Sequence, residues 1–498
     1  MNKNAFEDFD IIVIGGGHAG IEASLISAKL GQQVALITLD KNKIGLMPCN
    51  PSVGGVAKGI VVREIDALGG EMGKAADATA LQFKLLNTSN GPAVQALRVQ
   101  SDKIAYARYM QEVVSKQKNL TVIAGAAKNL LITEGKINGV ELNNGEIFST
   151  KIVILTTGTY LQPITYKGKE SQVEGPDGEK KVINNISQQL QGLGFKLKRF
   201  KTGTSPRILT NTIDFSGLKV EPGSDLLLRF SSRSDYTKLL PLEKQLPCYL
   251  LHTNEKTHQI IRDNSHLSPI FYKQDIGTGP RYCPSIEDKI YRFADKERHQ
   301  IFLEPESKQL DTTYIQGLST SLPAEIQAEI LKTLPGLEKA VEAAAQGLMA
   351  GINASRKLKN QEPLILGRDQ AYIGVLIDDL VNKEITDPYR LLTSRAEYRL
   401  LLRHDNELSR EEQRELEVNI KYQKQIENQL KEVKELSKYE ARKIPHDIDY
   451  LKIDNLAEEA KEKLTKIKPA SLGQAQRIAG INPTDIQMLN YYLNKNNF

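Results

Sequence analysis

Hydrophobic and polar positions along the chain follow a pattern that predicts a mixed α/β protein. Ile11 to Ile14 form a run of four β-branched residues, which is typical of a buried parallel strand. A helical period follows over Ile21 to Leu30, and the apolar run Val34 to Thr38 predicts the next strand. This order of strand, helix and strand indicates the start of a parallel sheet that helices cover.

The rest of the chain divides into regions of different pattern. Between Thr202 and Glu306 prolines interrupt the periodicity, which predicts an inserted β-rich domain. From Ser409 onward, apolar residues at helical spacing predict a helical domain, with Ser471 and Asn482 starting the two helices of a helix-turn-helix unit. Three more strand-like runs follow the first unit, at Leu120 to Ala124, Leu130 to Ile132 and Ile152 to Leu155.

Composition limits the class of protein. A chain of 498 residues is long enough for about three domains. Its 66 Lys and Arg residues against 61 Asp and Glu residues give a net charge of only +5, so nucleic-acid binding needs local basic patches. Three cysteines favour a reducing cytosol over a disulfide scaffold. Without an apolar run of eighteen residues, we expect a soluble cytoplasmic protein that does not enter a membrane.

The first strand runs into a glycine-rich turn. Gly15, Gly17 and Gly20 fit the G-x-G-x-x-G pattern, in which glycines make a tight turn and let the backbone approach a pyrophosphate. Asp40 lies about twenty residues beyond the third glycine, where an acid accepts from a ribose hydroxyl. With a strand before it and a helix after it, a dinucleotide site is favoured over a simple turn.

Two cysteine settings suggest chemistry. Cys49 lies between prolines in the loop Met47 to Lys58, followed by Gly54 and Gly55, so we expect the loop to approach a ligand and present a nucleophile or proton donor. The alternative is a buried, inert thiol. Cys248 lies in an apolar run and is expected in the core.

The second setting is Gly279 to Lys289. Arg281 offers a fork for phosphate, Tyr282 a stacking surface, and a cationic neighbour favours the thiolate of Cys283. A turn with ordinary ion pairs is the alternative. Neither C-x-x-C nor H-x-x-x-H occurs in the sequence, so no metal site is expected.

A row of arginines is a candidate nucleic-acid surface. Arg395, Arg399 and Arg403 recur every four residues and therefore share one helix face, against which an RNA backbone could lie. A solvated face paired with acids is an equal alternative. Phe195 to Lys201 alternates basic and apolar residues as a half-exposed strand does.

Taken together, the motifs resemble the MnmG (GidA) family over nearly the whole chain. The strings that carry the resemblance are IIVIGGGHAGIEA at 11–23, PCNPSVGG at 48–55, KTGTSPR at 201–207, HTNEKTH at 252–258, GPRYCPSIEDK at 279–289, YIGVLIDDL at 372–380, PYRLLTSRAEYRL at 388–400 and SLGQAQRIAGINP at 471–483.

The resemblance implies a fold and a domain order. The fold would be α/β: an FAD-binding Rossmann-like domain of the two-dinucleotide-binding flavoprotein type, with an inserted β-rich domain and a C-terminal all-helical domain. The implied division is an FAD-binding domain in two parts (1–203 and 301–375), an inserted NADH-binding domain (204–300) and a helical domain that binds tRNA and the partner (376–498).

The resemblance also implies an activity. Members add a carboxymethylaminomethyl or aminomethyl group to C5 of the wobble uridine of certain tRNAs. They use FAD, NADH and methylene-tetrahydrofolate, act with the GTPase MnmE, and typically form homodimers. Cys49 and Cys283 match the two functionally implicated cysteines, with addition to uracil C6 and proton transfer as their roles, in either assignment.

Cofactor contacts follow residue by residue from the same resemblance. Ala127 would lie near the adenosine half of FAD. The FAD pyrophosphate would be held by Gly15, Gly16, Gly17, His18, Ala19 and Gly20. The NADH site would include Gly279, Pro280, Arg281, Tyr282, Cys283, Pro284, Ser285, Ile286, Glu287, Asp288 and Lys289.

The sequence departs from the family in two places. A glycine-rich segment resembling AGQINGTTGYE, which closes the flavin site in the family, is absent between Ala340 and Val341, and a mostly helical stretch is missing between about Asn406 and Arg414. Ser205 stands where the family usually carries proline. The absent segment motivates one alternative, a protein that binds tRNA or the GTPase without catalysing. Another alternative is the folate-dependent tRNA uracil methyltransferase flavoprotein, which shares the N-terminal fold.

Overall fold

The computed structural model describes most of the N-terminal two thirds of the chain and a C-terminal segment. The described residues are 7–173, 184–272 and 284–333, except 202, 211–212, 216 and 310–311, then 372, 375–377, 379 and 396, and finally 442–495, except 446–447, 454, 477 and 479. Within these ranges the strands pair into five sheets.

The elements are numbered in chain order. The strands are β1 (Glu7–Phe9), β2 (Ile11–Ile14), β3 (Val34–Thr38), β4 (Ser52–Gly54), β5 (Ala80–Leu86), β6 (Ala96–Ser101), β7 (Leu120–Ala124), β8 (Ala127–Thr133), β9 (Lys136–Leu142), β10 (Ile147–Thr150), β11 (Val153–Leu155), β12 (Thr165–Lys167), β13 (Glu170–Gln172), β14 (Arg207–Leu209), β15 (Lys219–Glu221), β16 (Cys248–His252), β17 (Gln300–Pro305) and β18 (Thr312–Gln316). The helices are α1 (His18–Lys29), α2 (Lys58–Ala67), α3 (Met72–Ala78), α4 (Lys103–Lys116), α5 (Ile186–Gly192), α6 (Glu255–Asp263), α7 (Pro269–Tyr272), α8 (Ile286–Arg292), α9 (Ala324–Leu331), α10 (Glu458–Ile467), α11 (Leu472–Gln476) and α12 (Pro483–Lys495).

A four-stranded parallel sheet forms the centre of the N-terminal part. Its strand order is β11–β2–β3–β7. Strands β2 and β3 are buried along their whole length, which explains their unbroken apolar sequences, because a parallel sheet covered on both faces has no wet side. The predicted bounds of β2, β3 and β7 are confirmed, and α1 begins three residues before the predicted Ile21, directly after Gly17.

Two further sheets, of four and three strands, pack beside it. An antiparallel hairpin arrangement of β8, β9 and β10 is extended by β1, which pairs in parallel with β10. Strands β5 and β6 form a hairpin that β4 joins on the other side of β6. Apolar residues of α1, α2, α3 and α4 share one core with the parallel sheet, so this part of the chain folds as a layered α/β unit.

The predicted β-rich insertion is a five-stranded antiparallel sheet in the order β14–β18–β17–β16–β15. Apolar residues of α6, α8 and α9 share one core with this sheet, including Ile261, Ile286 and Ile330. Strands β17 and β18 lie at and beyond residue 300, which the family resemblance implies as the end of the insertion. Because both pair with strands before that residue, the structural unit includes residues on both sides of it.

The C-terminal segment is a small helical unit with its own core. Ser471 accepts a hydrogen bond from a backbone N–H of α11 at 3.2 Å, and Gly480 follows with φ of +90°. Asn482 and Asp485 then cap α12 reciprocally, with two hydrogen bonds of 3.0 Å. The predicted helix-turn-helix unit is therefore confirmed, whereas residues 409–441 of the predicted helical domain lie outside the described residues.

Candidate functional site

The glycine-rich turn between β2 and α1 is shaped by contacts that exclude side chains. Gly15 has φ of +116°, and a Cβ built on it would lie 2.3 Å from the carbonyl oxygen of Thr156. A Cβ on Gly20 would lie 1.8 Å from the carbonyl oxygen of Gly15. At Gly17 a Cβ would meet open space, and no side chain caps the helix there. The N-terminal N–H groups of α1 thus face a space that an anion can enter.

Parallel pairing brings the other predicted FAD contacts to the same edge. Because β11, β2, β3 and β7 run in one direction, the residues that follow them meet at the carboxyl edge of the sheet. Asp40, just after β3, is half-buried and accepts a hydrogen bond from the N–H of Asn42 at 2.8 Å. Ala127 is buried three residues after the end of β7. The residues expected along an adenosine diphosphate therefore share one edge.

His18 is the titratable side chain in the turn. Its Nδ1 lies 3.5 Å from the hydroxyl of Tyr106, and the two rings meet edge to face at 5.6 Å. Burial lowers the pKa of His18 to about 4. The imidazole is therefore neutral at neutral pH, and the positive potential at the start of α1 comes from the backbone dipole.

The loop that carries Cys49 is tied to the glycine turn. The N–H of Gly45 donates to the carbonyl oxygen of Gly16 at 3.0 Å, four residues before Cys49. Cys49 itself is half-buried, and its Sγ lies 3.5 Å from the hydroxyl of the fully buried Tyr314. The thiol thus lies between the dinucleotide-binding part and the inserted sheet.

The glycines after Cys49 pack against strand β6. Residues Ser52–Gly54 form strand β4, and a Cβ on Gly54 would lie 2.3 Å from the carbonyl oxygen of Leu97. The N–H of Gly55 donates to that same oxygen at 2.9 Å. The missing side chain of Gly54 therefore makes room for β6, and the approach of this loop to a ligand stays a prediction.

Arg207 of the inserted sheet holds the Cys49 loop. Its Nη2 donates to the carbonyl oxygens of Pro48 and Cys49, at 2.8 and 2.9 Å. Its guanidinium carbon lies 4.8 Å from the centre of the Tyr314 ring, and its Nε contacts Glu306 at 3.2 Å. Sequence reasoning missed Arg207 and Tyr314, because nothing local marks two residues so distant from Cys49 as its neighbours.

The described part of the expected NADH segment forms the start of α8. Gly279 to Cys283 lies outside the described residues, and Pro284 precedes the helix. Ser285 and Asp288 form a capping box, in which the Ser285 hydroxyl accepts from the Asp288 N–H at 3.1 Å.

Two charged side chains of this segment face the protein. Glu287 is fully buried and accepts from the hydroxyl of Thr320 at 2.8 Å, and burial raises the pKa of its carboxyl. Lys289 donates to the carbonyl oxygen of Gly317 at 3.1 Å. Both contacts hold α8 against the segment that follows β18, so these side chains also have a structural role.

Other predicted residues fall into the core or outside the described ranges. Cys248 is buried in β16, as expected, and burial raises the pKa of its thiol to about 12. Arg395, Arg399 and Arg403 lie outside the described residues. The segment 193–200 exposes its apolar and basic residues alike, so the predicted half-exposed strand is wrong there.

Two absences hold for the described part of the chain. Its helices include none that is long and apolar enough to cross a membrane. Its His, Cys, Asp and Glu side chains form no group of three that could hold a metal ion.

Comparisons with known proteins agree with this architecture. Residues 10–341 match the family described as glucose inhibited division protein A, and residues 432–498 match the tRNA modifying enzyme MnmG/GidA C-terminal helical bundle. A solved structure of Aquifex aeolicus GidA superposes with a TM-score of 0.88 at 39% identity, covering 98% of both chains.

Curated relatives match at similar levels. The protein named tRNA uridine 5-carboxymethylaminomethyl modification enzyme MnmG from Mycoplasma mycoides is 45% identical, with 98% of both chains covered. Its namesake from Geobacillus thermodenitrificans is 42% identical, with 97% of both chains covered. With a family match over most of its length and relatives this similar, the chain belongs to the MnmG (GidA) family.

Proposed function

We propose that this protein modifies the wobble uridine of tRNA, adding a carboxymethylaminomethyl or aminomethyl group at C5. The observation that carries the proposal is the placement of the Cys49 loop against a dinucleotide-binding turn, through the hydrogen bond from Gly45 to Gly16. The names of its relatives support the same activity. A reactive thiol beside a redox cofactor suits chemistry that first activates the uracil ring and then builds a methylene on C5, which glycine or ammonium captures to form the new C–N bond.

The residues at the carboxyl edge fit FAD. Gly15, Gly16, Gly17, His18, Ala19 and Gly20 would hold its pyrophosphate, Asp40 its ribose and Ala127 its adenosine half. The open space at Gly17 and the uncapped start of α1 support this assignment. When bound, the flavin supplies electrons taken from NADH.

The two cysteines supply the remaining chemistry. One thiolate would add to uracil C6, which makes C5 nucleophilic toward the one-carbon unit of methylene-tetrahydrofolate. The other would move a proton. Cys49 and Cys283 fit these roles in either assignment. Residues 279–289 would also line the NADH site, for which the described α8 provides a rigid support.

Partner contacts belong to the C-terminal region in this proposal. Residues 376–498 would meet tRNA and the GTPase MnmE, with Arg395, Arg399 and Arg403 against the RNA backbone, and the protein would act as a homodimer. Charge reversal at Arg395 and Arg399 should weaken tRNA binding and reduce its dependence on salt. Unchanged binding would return this helix face to an ordinary solvated surface.

A flavin titration tests the cofactor assignment first. We expect the purified protein to show a flavin absorption band with FAD, and the band to bleach when NADH is added. Absence of bound flavin would instead support the binding-only alternative, which the missing segment after Ala340 motivates.

Cysteine variants test the chemistry. Cys49→Ser and Cys283→Ser should each abolish modification of tRNA while leaving the far-UV circular dichroism unchanged. Cys248→Ser is the matched control, because Cys248 is a buried core residue, and it should remain active. Full activity of either reactive-site variant would remove that thiol from the mechanism.

A further inference from the structure

We propose that Arg207 and Tyr314 form a clamp that positions Cys49, with the Tyr314 hydroxyl donating a hydrogen bond to the sulfur and Arg207 fixing the backbone on which the sulfur sits. This inference deepens the proposed function, since it rests on Cys49 being a reactive thiol. Both clamp residues act through Cys49 and are positioning residues.

The two clamp residues are neighbours by strand register. Arg207 on β14 and Tyr314 on β18 are direct partners in the antiparallel pair, so their side chains lie on the same face of the sheet. The guanidinium of Arg207 stacks over the Tyr314 ring at 4.8 Å. Glu306 holds the other side of Arg207, at 3.2 Å from Nε. The sheet therefore presents the pair to the Cys49 loop as one rigid unit.

Arg207 fixes the position of the loop. It donates to two successive carbonyl oxygens, those of Pro48 and Cys49, which restricts rotation about the backbone that carries the thiol. The ring of Pro48 already fixes its own φ. With the backbone held on one side, Sγ of Cys49 stays 3.5 Å from the Tyr314 hydroxyl.

The position of the proton follows from the chemistry of the two groups. A phenol ordinarily ionises only near pH 10, so the hydroxyl of Tyr314 carries its proton at neutral pH. Burial and the adjacent Cys49 raise the pKa of Tyr314 further, and a hydrogen bond from Ser205 only partly opposes them. Tyr314 therefore keeps its proton and donates a hydrogen bond to the sulfur of Cys49. A hydrogen bond to the charged form favours that form.

Alkylation of Cys49 by iodoacetamide tests the clamp. The thiolate displaces iodide, so the rate reports the thiolate fraction, and mass spectrometry of the Cys49 peptide measures it without FAD, NADH or tRNA. In Tyr314→Phe we expect the rate at pH 7 to fall about three- to tenfold, the cost of one lost hydrogen bond. At pH 9.5 the rate should be unchanged or faster, because most thiols are ionised there.

The alkylation rate at pH 7 divided by the rate at pH 9.5 separates positioning of the thiol from a general structural effect. If Tyr314→Phe only altered access to the thiol, both rates would change by one factor and the ratio would stay the same, which would overturn the proposal. Tyr249→Phe is the matched control, since it removes a hydroxyl from β16, which is separated from β18 by β17, and should leave the ratio unchanged. Continued protection of the buried Cys248 verifies the fold in each variant.

A second variant keeps the test independent of one substitution. Arg207→Lys keeps the charge beside Glu306 but loses the fork that binds two carbonyl oxygens, so the ratio should fall in the same direction. In the double variant the ratio should fall no further than in Tyr314→Phe alone, because both substitutions break the same contact with Cys49. Additive effects, or an unchanged ratio in Arg207→Lys, would contradict the clamp. Since alkylation needs no tRNA, a failed clamp leaves the proposed activity to its own assay.

Discussion

Gly17 and Gly20 of the G-x-G-x-x-G motif have different roles. Gly20 lets α1 approach the turn, and a side chain there would collide with the carbonyl oxygen of Gly15 at 1.8 Å. Gly17 borders open space and has an ordinary φ of −78°, so alanine fits its backbone. The fold thus requires glycine at position 20, whereas glycine at position 17 would be required only for binding of the proposed FAD pyrophosphate.

Substitution at these two glycines should separate stability from binding. We expect Gly20→Ala to lower the free energy of unfolding by about 1–3 kcal/mol through overpacking, and to lose FAD as well. Gly17→Ala should keep its urea midpoint yet bind FAD more weakly, because the methyl occupies the space for the pyrophosphate. Urea unfolding and FAD titration measure the two effects. Equal destabilisation by both substitutions would contradict this division of roles.

At the scale of elements, one buried carboxylate joins α1 to α3. Glu22 accepts from the backbone N–H of Glu71 at 3.0 Å and from that of Met72 at 2.7 Å, and so caps the N-terminus of α3. Burial raises the pKa of Glu22 to about 7, although both backbone hydrogen bonds lower it. The carboxyl that links the two helices therefore takes up a proton near neutral pH.

Stability should depend on pH through this group. A raised pKa means that the folded state binds the proton more tightly than the unfolded chain, between the ordinary value of 4.5 and about 7. The stabilisation is fully present below pH 4.5 and is lost as the pH rises through 7. Glu22→Gln has no carboxyl that titrates in this range. Its free energy of unfolding should therefore rise by about 3 kcal/mol relative to that of the wild type between pH 4.5 and 8.

Urea unfolding across this pH range measures the difference between the two proteins. Glu325→Gln in α9 is the matched control, since Glu325 is exposed and should leave the pH dependence as it is. Parallel curves for Glu22→Gln and the wild type would show that Glu22 does not titrate in this range.

At the scale of the whole molecule, buried polar contacts join the dinucleotide-binding part to the inserted sheet. Arg98 on β6 donates to Glu304 on β17 at 2.6 Å, with side chains only 10% and 1% exposed. Asn50, next to Cys49, donates to the same carboxylate at 2.8 Å. The orientation of the two units around the thiol therefore depends on a pair of charges removed from water.

Breaking this pair should loosen the junction. Glu304→Gln leaves the Arg98 guanidinium buried without its counter-charge, so the free energy of unfolding should fall by about 3 kcal/mol. Glu112→Gln breaks the exposed pair with Lys116 and serves as the control, with no measurable change expected. Urea unfolding tests both variants. A Glu304→Gln midpoint equal to that of the wild type would show that the pair contributes nothing to the junction.

Local signals in the sequence were sufficient for some of the elements. The apolar runs of β2, β3 and β7 gave their bounds, because the period of burial is written in neighbouring residues. Ser471, Gly480 and Asn482 marked the C-terminal helices, since caps act within one turn. The glycine spacing and the apolar setting of Cys248 were equally local, and both agree with the structure.

The tertiary structure alone decided which distant residues meet. Arg207 and Tyr314 reach Cys49 because β14 pairs with β18, and no property of either residue type specifies that register. The same holds for Gly54, whose role depends on the carbonyl of Leu97 in another strand. Sequence by itself determined strands β2, β3 and β7, the glycine-rich turn and the two C-terminal helices, and it marked the candidate thiols, because periodicity, capping and turn chemistry depend on neighbours. The surroundings of those thiols depend on packing between strands far apart in the chain, which local patterns do not encode.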